Sequence, residues 1–179
     1  SPAKARSLRG YLGSEYRVIA SNGHVRDLPR KRLAVSDDGE YRPTYTVLPE
    51  KRGKVRKLKT AAKGFKKIYL AADPDREGEA ICWHLSELLA GSDKVFKRLR
   101  FNAITRETVT AAVRSPQPLD MDLVNAQQAR RVMDRLVGYK VSPYLWRTVG
   151  KGLSAGRVQT VALRLVRERE DRIEAFEPQ

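Results

Sequence analysis

A single cysteine, Cys82, in 179 residues excludes an intrachain disulfide and fits a reducing cytoplasm. No apolar run approaches the roughly 18 residues a membrane-spanning helix needs, so nothing in the sequence reads as a transmembrane segment. No signal peptide, internal repeat or low-complexity tract is visible, although the chain opens too abruptly for Ser1 to be read as a native N-terminus. Acidic residues are in short supply: 21 Asp and Glu stand against 36 Lys and Arg, a formal net charge of +15. The shortage is uneven. Residues 1–70 hold 18 basic side chains against 6 acidic, residues 71–120 hold 7 against 8, and residues 121–179 hold 11 against 7. The acids therefore gather in the middle of the chain between two basic flanks, a distribution that fits a polyanion held by basic surface and presented to a carboxylate centre. A generic solvated basic surface is the competing reading.

The acids that are present concentrate in Asp73-Pro74-Asp75-Arg76-Glu77-Gly78-Glu79, between the apolar run Ile68-Tyr69-Leu70-Ala71-Ala72 and the helix-like Ala80 to Leu89. Carboxylates at alternate positions of a strand-to-helix turn project from the carboxyl edge of a sheet, where open α/β folds place ligands. Oxygen-only ligands there suit Mg²⁺, and the lack of Cys or His among them argues against zinc. Acids near a helix start also complement the positive end of the helix dipole, which by itself covers Glu77 and Glu79. It leaves Asp73 and Asp75 unexplained, because like charges this crowded repel unless a cation or proton compensates.

Ser1-Pro2 has the form of an N-cap followed by proline at the first helical position, and Ala5, Leu8, Tyr11 and Leu12 recur at helical spacing up to Gly13. Tyr16 to Ser21 predicts a short strand, Asn22 to Pro29 a loop, and residues 30–53 a charged excursion with at most short strands such as Tyr45 to Leu48. Val55 to Lys63 predicts a helix, Val95 to Phe101 a strand, and Thr105 caps a helix to about Arg114. Strands alternating with helices predict a parallel, three-layered α/β sheet over residues 1–115. Ser115-Pro116-Gln117-Pro118 reads as a stiff connector, beyond which the pattern is helical. In Leu123 to Val137 the helical period places Ala126, Ala129, Val132, Met133, Leu136 and Val137 on a packed arc and Gln127, Gln128, Arg130, Arg131, Asp134 and Arg135 on an outer one. That outer row is either a grip for a polyanion or an exposed face whose Asp134 pairs with Arg130 or Arg131. Gly150 to Arg157 is a Gly-rich loop opening a helix from Val158 to Glu174, a seat for phosphate of low specificity.

Taken together, these segments resemble bacterial DNA topoisomerase I, of type IA. The resemblance rests on Ser1-Pro2-Ala3-Lys4-Ala5, Gly23-His24-Val25-Arg26-Asp27-Leu28-Pro29, the acid turn with Ala80-Ile81, Asn125 to Tyr139, and Gly152 to Thr160. It covers nearly the whole chain in the family's order, whereas the acid turn alone also occurs in the Toprim domains of primases, nucleases and type II topoisomerases. The wording around Lys4 and His24 favours the topoisomerase I branch over topoisomerase III. The resemblance implies a Toprim domain at residues 1–115, a Rossmann-like parallel sheet with flanking helices, followed at 116–179 by the start of a helical single-stranded-DNA-binding domain. In such enzymes a tyrosine attacks one phosphodiester, forms a 5′-phosphotyrosine, lets a strand pass and reseals the break, relaxing negatively supercoiled DNA. By similarity, Asp73, Asp75 and Glu77 hold Mg²⁺, Arg76 lies near the phosphate, and Lys4 stabilises charge on the scissile phosphate. His24 matches a position near the nucleotide site, Arg130, Arg131, Asp134, Arg135 and Tyr139 match the helix that grips the single strand, and Ser154, Arg157 and Gln159 match a second DNA-contacting segment. A monomer in the cytoplasm, associated with the nucleoid, is the implied setting.

Two departures bound the expectation. The family's apolar strand ending in Glu directly before the segment matching Ser1 is absent, and none of the tyrosines at 11, 16, 41, 45, 69, 139 and 144 stands in the family's catalytic context. Trp146-Arg147-Thr148-Val149 echoes that context only superficially. The chain is thus expected to be a fragment whose nucleophile lies elsewhere. Two competing readings are a Toprim nuclease or primase, using water or a nucleotide hydroxyl as nucleophile, and a non-catalytic nucleic-acid-binding module.

Overall fold

The computed structural model describes residues 1–177. Helix α1 (Pro2–Leu12) starts on Ser1 with Pro2 in its first turn and stops at Gly13, whose φ of +75° suits a residue without a Cβ. The strand expected at Tyr16 to Ser21 does not form: the segment takes no regular structure, and no strand pairs with it among the described residues. Unpaired backbone needs other partners, and Arg9 supplies a donor here, with Nε and Nη2 bonding the Val18 carbonyl at 3.1 and 2.9 Å.

Within the segment expected to be a loop, β1 (Arg26–Asp27) pairs antiparallel with β2 (Thr46–Val47), Arg26 opposite Val47. The intervening excursion is closed by a Val35 to Pro43 bridge and by Asp38, which accepts from the Ser36 hydroxyl and pairs with Arg42. Those bonds, led by the Ser36 hydroxyl, hold the Asp38 carboxyl down to about 2.

Helix α2 (Arg52–Ala62) leads into β3 (Lys67–Leu70), α3 (Arg76–Leu89) and β4 (Val95–Arg98). β3 and β4 are parallel, with Leu70 level with Arg98, the crossover that a βαβ unit requires. Among the described residues the parallel sheet is this pair alone, smaller than the alternation of elements suggests. Helix α4 (Arg106–Arg114) is capped by Thr105 in a reciprocal box with Thr108 and packs on α1, to which Tyr11 and Arg106 add bonds; α2 packs on α3. Val25, Leu28, Leu70, Ala80, Cys82, Leu99, Val109 and Val124 form the buried apolar core.

The helix expected over Leu123 to Val137 is part of a longer element, α5 (Met121–Thr148), which runs through Pro143. A loop then leads to α6 (Arg157–Glu174). The chain divides into two compact units, Ser1–Ala129 and the residues from Arg130 onward. Ser115 to Pro118 lies within the first, where Arg98 and Gln117 exchange backbone hydrogen bonds at 2.8 and 2.9 Å.

Candidate functional site

The acid turn is built by close packing of backbone. Asp75 caps α3, its Oδ1 accepting from the Gly78 N–H at 2.7 Å. A Cβ on Gly78 would stand 2.9 Å from the Asp73 nitrogen and closer still to the Asp73 carbonyl oxygen. Only glycine lets the Asp73 backbone lie this close against the first turn of the helix.

Beneath the turn lies a buried ion pair. Arg98 and Glu79 are both 0% exposed, and Arg98 Nε donates to Glu79 Oε2 at 2.9 Å. The same guanidinium donates to the carbonyls of Leu70 at 3.1 Å, Ala72 at 3.0 Å, Leu99 at 2.5 Å and Asp73 at 2.8 Å. Three of these carbonyls, of Leu70, Ala72 and Asp73, lie where β3 passes into the turn, so one planar side chain fixes the path of the backbone that carries Asp73. Glu79 Oε1 accepts from the Asp120 N–H at 2.8 Å and from Arg100 at 3.2 Å. Burial pushes the Glu79 carboxyl up, but the Asp120 N–H and the Arg98 and Arg100 charges outweigh it and leave it below the ordinary range. Glu79 is therefore not an exposed acid answering the helix dipole, as the sequence allowed. It is the buried counter-charge of the turn's main brace.

Around this frame the predicted site residues fall into pairs. Lys4, from α1, forms an ion pair with Asp73 across 69 positions of sequence, both side chains substantially exposed. His24 Nε2 lies 3.3 Å from Glu77 Oε2, and Gln127 Nε2 donates to that same oxygen at 3.2 Å. Arg76 is exposed in the first helical turn. Behind His24, the Arg26 guanidinium lies over Trp83 and its Nε donates to His84 Nδ1 at 3.0 Å. Burial, then the Arg26 and His24 charges, push the His84 imidazole down to about 3, which leaves it neutral and accepting.

In the second unit Arg157 reaches Asp134 at 3.2 Å, and Arg130 lies 3.8 Å from its other oxygen. The two expected DNA-contacting segments thus meet at Asp134. Arg135 is buried, with its guanidinium over the Tyr139 ring and a 3.3 Å bond to the phenol. Ser154, Arg157 and Gln159 are exposed, and Arg131 is half-buried. The expected packed arc is corrected: Ala126, Ala129 and Met133 are exposed, whereas Val124, Gln127, Val132 and Arg135 are buried. Polar side chains with partners in reach replace alanines on the inner face, because a bonded Gln or Arg buries more surface there than a methyl group.

The Toprim domain family matches residues 1–104, and the DNA topoisomerase family matches residues 118–179. The two matches, contiguous but for a short gap, carry the acid turn and the Asp134 helix in one order. The chain belongs to the type IA DNA topoisomerases. Among solved structures, full-length topoisomerase I from Thermotoga maritima is 43% identical, with a TM-score of 0.86 over 100% of this chain and 30% of that one. The chain thus spans about a third of the length of that relative.

Toprim domains as a class bind Mg²⁺. Here the candidate donors are carboxylate oxygens on an exposed turn, with the Asp73 side chain 62% and the Glu77 side chain 48% exposed. Among the described residues no three Asp, Glu, His or Cys side chains converge on one point. The donor set still fits Mg²⁺, which takes one or two carboxylates and fills its other positions with water and phosphate oxygens. Among the described residues no helix is long and apolar enough to cross a membrane.

The sequence reading did not assign Gly78, Glu79 and Arg98 to the packing of the acid turn, nor Gln127 to the Glu77 carboxylate. For Glu79 a signal existed, since it is a charge beside Ala80 and Cys82 on a core-facing stretch, whereas Arg98 stands between Lys97 and Arg100 and gave none. A charge there needs a partner.

Proposed function

We propose that this chain is the part of a type IA DNA topoisomerase that holds Mg²⁺ and one DNA strand at the break, with the attacking tyrosine supplied by the rest of the polypeptide. The observation that carries this reading is the delivery of Lys4 from α1 onto Asp73, at a turn braced from below by Arg98. An ammonium beside an acid turn can exchange its carboxylate for the scissile phosphate and stabilise charge as the phosphodiester opens. Arg76, exposed one residue past Asp75, can meet the same phosphate. Bound Mg²⁺ would supply positive charge to the cleaved end, held by Asp73, Asp75 and Glu77. His24 and Gln127 fix the Glu77 carboxylate, so its direction is set before any ligand arrives. Asp134, with Arg130 and Arg157, and the Arg135 to Tyr139 pair organise the strand-gripping surface, joined by Arg131, Ser154 and Gln159. The substrate is the single-stranded segment of negatively supercoiled duplex, and the working form is a monomer associated with the nucleoid. A Toprim nuclease or primase would not carry the topoisomerase match over residues 118–179.

The test is relaxation of negatively supercoiled plasmid. The 179-residue chain alone should neither nick nor relax DNA in Mg²⁺, and the whole polypeptide should do both. Neutralising Asp73 and Asp75 together in the whole polypeptide should shift the Mg²⁺ titration to higher concentration. Relaxation by the isolated chain, or an unshifted titration in the double Asn variant, would overturn the reading.

A further inference from the structure

Gln127 carries an anomaly that the acid turn explains. Its side chain is 6% exposed, its Nε2 donates to Glu77 at 3.2 Å, and its Oε1 is buried with no hydrogen-bond partner among the described residues. An ionised carboxylate accepts and never donates, so the amide must turn its nitrogen toward Glu77, and the carbonyl oxygen is left without a partner among the described residues. Leaving an acceptor unpaired in the interior costs stability, and an apolar side chain of equal length would avoid the cost. What the amide gains in exchange is its hold on Glu77.

The anchorage of Gln127 is firm enough for that purpose. Directly before α5 stands Asp120, whose N–H donates to the buried Glu79 at 2.8 Å and whose own Oδ1 accepts from the Asp122 and Leu123 N–H groups at 3.1 Å each. Val124, three residues before Gln127 on the same face, is fully buried. Glu79 thus seats both the acid turn, through Arg98, and the start of the helix that carries Gln127. On the other side His24 touches the same Glu77 oxygen, so that oxygen is held by two side chains from distant parts of the sequence. An outer partner that fixes a ligating carboxylate typically contributes ten- to a hundredfold in metal affinity.

We propose that Gln127 is a positioning residue for the divalent cation: it gives up half of its own hydrogen bonding to aim the Glu77 carboxylate. The inference rests on the assignment of Asp73, Asp75 and Glu77 as the cation's ligands. Gln127→Met keeps the length and packing of the side chain and removes the donor; Gln127→Asn keeps the amide on an arm too short to reach Glu77. Mn²⁺, whose free form is read directly by electron paramagnetic resonance, serves as the probe on the whole polypeptide without DNA. Both variants should bind Mn²⁺ about tenfold or more weakly, while the metal-free melting temperature moves by no more than about 4 °C. Unchanged Mn²⁺ affinity in either folded variant, or a lower melting temperature with unchanged affinity, overturns the proposal. The Asp73→Asn/Asp75→Asn variant separates the two levels: if it binds Mn²⁺ normally the ligand assignment itself fails, whereas if it loses Mn²⁺ and the Gln127 variants do not, only the positioning role fails.

Discussion

Replacing Glu79 with glutamine should destabilise the first unit far more than a one-atom change suggests. The glutamate oxygens accept from Arg98 Nε at 2.9 Å, from the Asp120 N–H at 2.8 Å and from Arg100 at 3.2 Å, and the side chain is fully buried. Glutamine has one oxygen and one NH₂, so in either orientation it sets a donor against a donor and leaves a buried guanidinium without its counter-charge. Breaking one partner of a buried pair costs about 3–5 kcal/mol, a large share of the roughly 5–15 kcal/mol that holds a domain together. In urea, with a slope of about 2 kcal/mol per molar, the midpoint should fall by about 2 M. Arg98→Met should be worse, since it strands Glu79 and also deprives the carbonyls of Leu70, Ala72, Asp73 and Leu99 of a donor. Pairing it with Glu79→Met should recover part of the loss, because the uncompensated charge is then gone. If Glu79→Gln moves the midpoint by less than about 0.5 M, the brace beneath the acid turn is not what the geometry implies.

Gly78→Ala should drive the Asp73 backbone off the helix, lowering the melting temperature and weakening Mg²⁺ dependence together, by about 2 kcal/mol or more in stability; a variant that melts and titrates like its parent would refute the close approach. His84 is held neutral, with its ionisation moved from 6.5 down to about 3. The unfolded chain then binds the extra proton first, so this contribution is complete above about pH 6.5 and declines as pH falls toward 3, by about 2 kcal/mol at pH 5. His84→Gln, which keeps an acceptor for Arg26, should remove that slope between urea midpoints at pH 7 and pH 5, and equal slopes would sink the assignment. Arg131→Ala should lower single-strand affinity and flatten its salt dependence by about 0.7 per lost phosphate contact, whereas Arg135→Ala, at a buried site, should also lower the melting temperature; an unchanged salt slope in Arg131→Ala would remove it from the strand-gripping surface.

Local chemistry along the chain decided a good deal. Ser1-Pro2 and Gly13 delimit α1, Thr105 starts α4, and the apolar run before Asp73 is β3, because caps, proline and glycine act within a few residues of where they stand. The acid turn and its family resemblance were equally legible, since they are contiguous. Tertiary structure decided everything that depends on partners far apart in sequence. Tyr16 to Ser21 has strand-like composition and forms no strand, because a ladder needs a neighbouring strand and none lies beside it among the described residues. The helical wheel of Leu123 to Val137 ranked side chains by polarity and so turned Gln127 and Arg135 outward; the fold buries both, because Glu77 and Tyr139 wait there to bond them. Lys4 reaches Asp73, and Arg98 reaches Glu79, only because α1 starts and β4 ends beside the same turn. A sequence displays which groups can ionise or donate, but burial and distance set whether each is solvated, paired or aimed, and those are properties of the assembled chain.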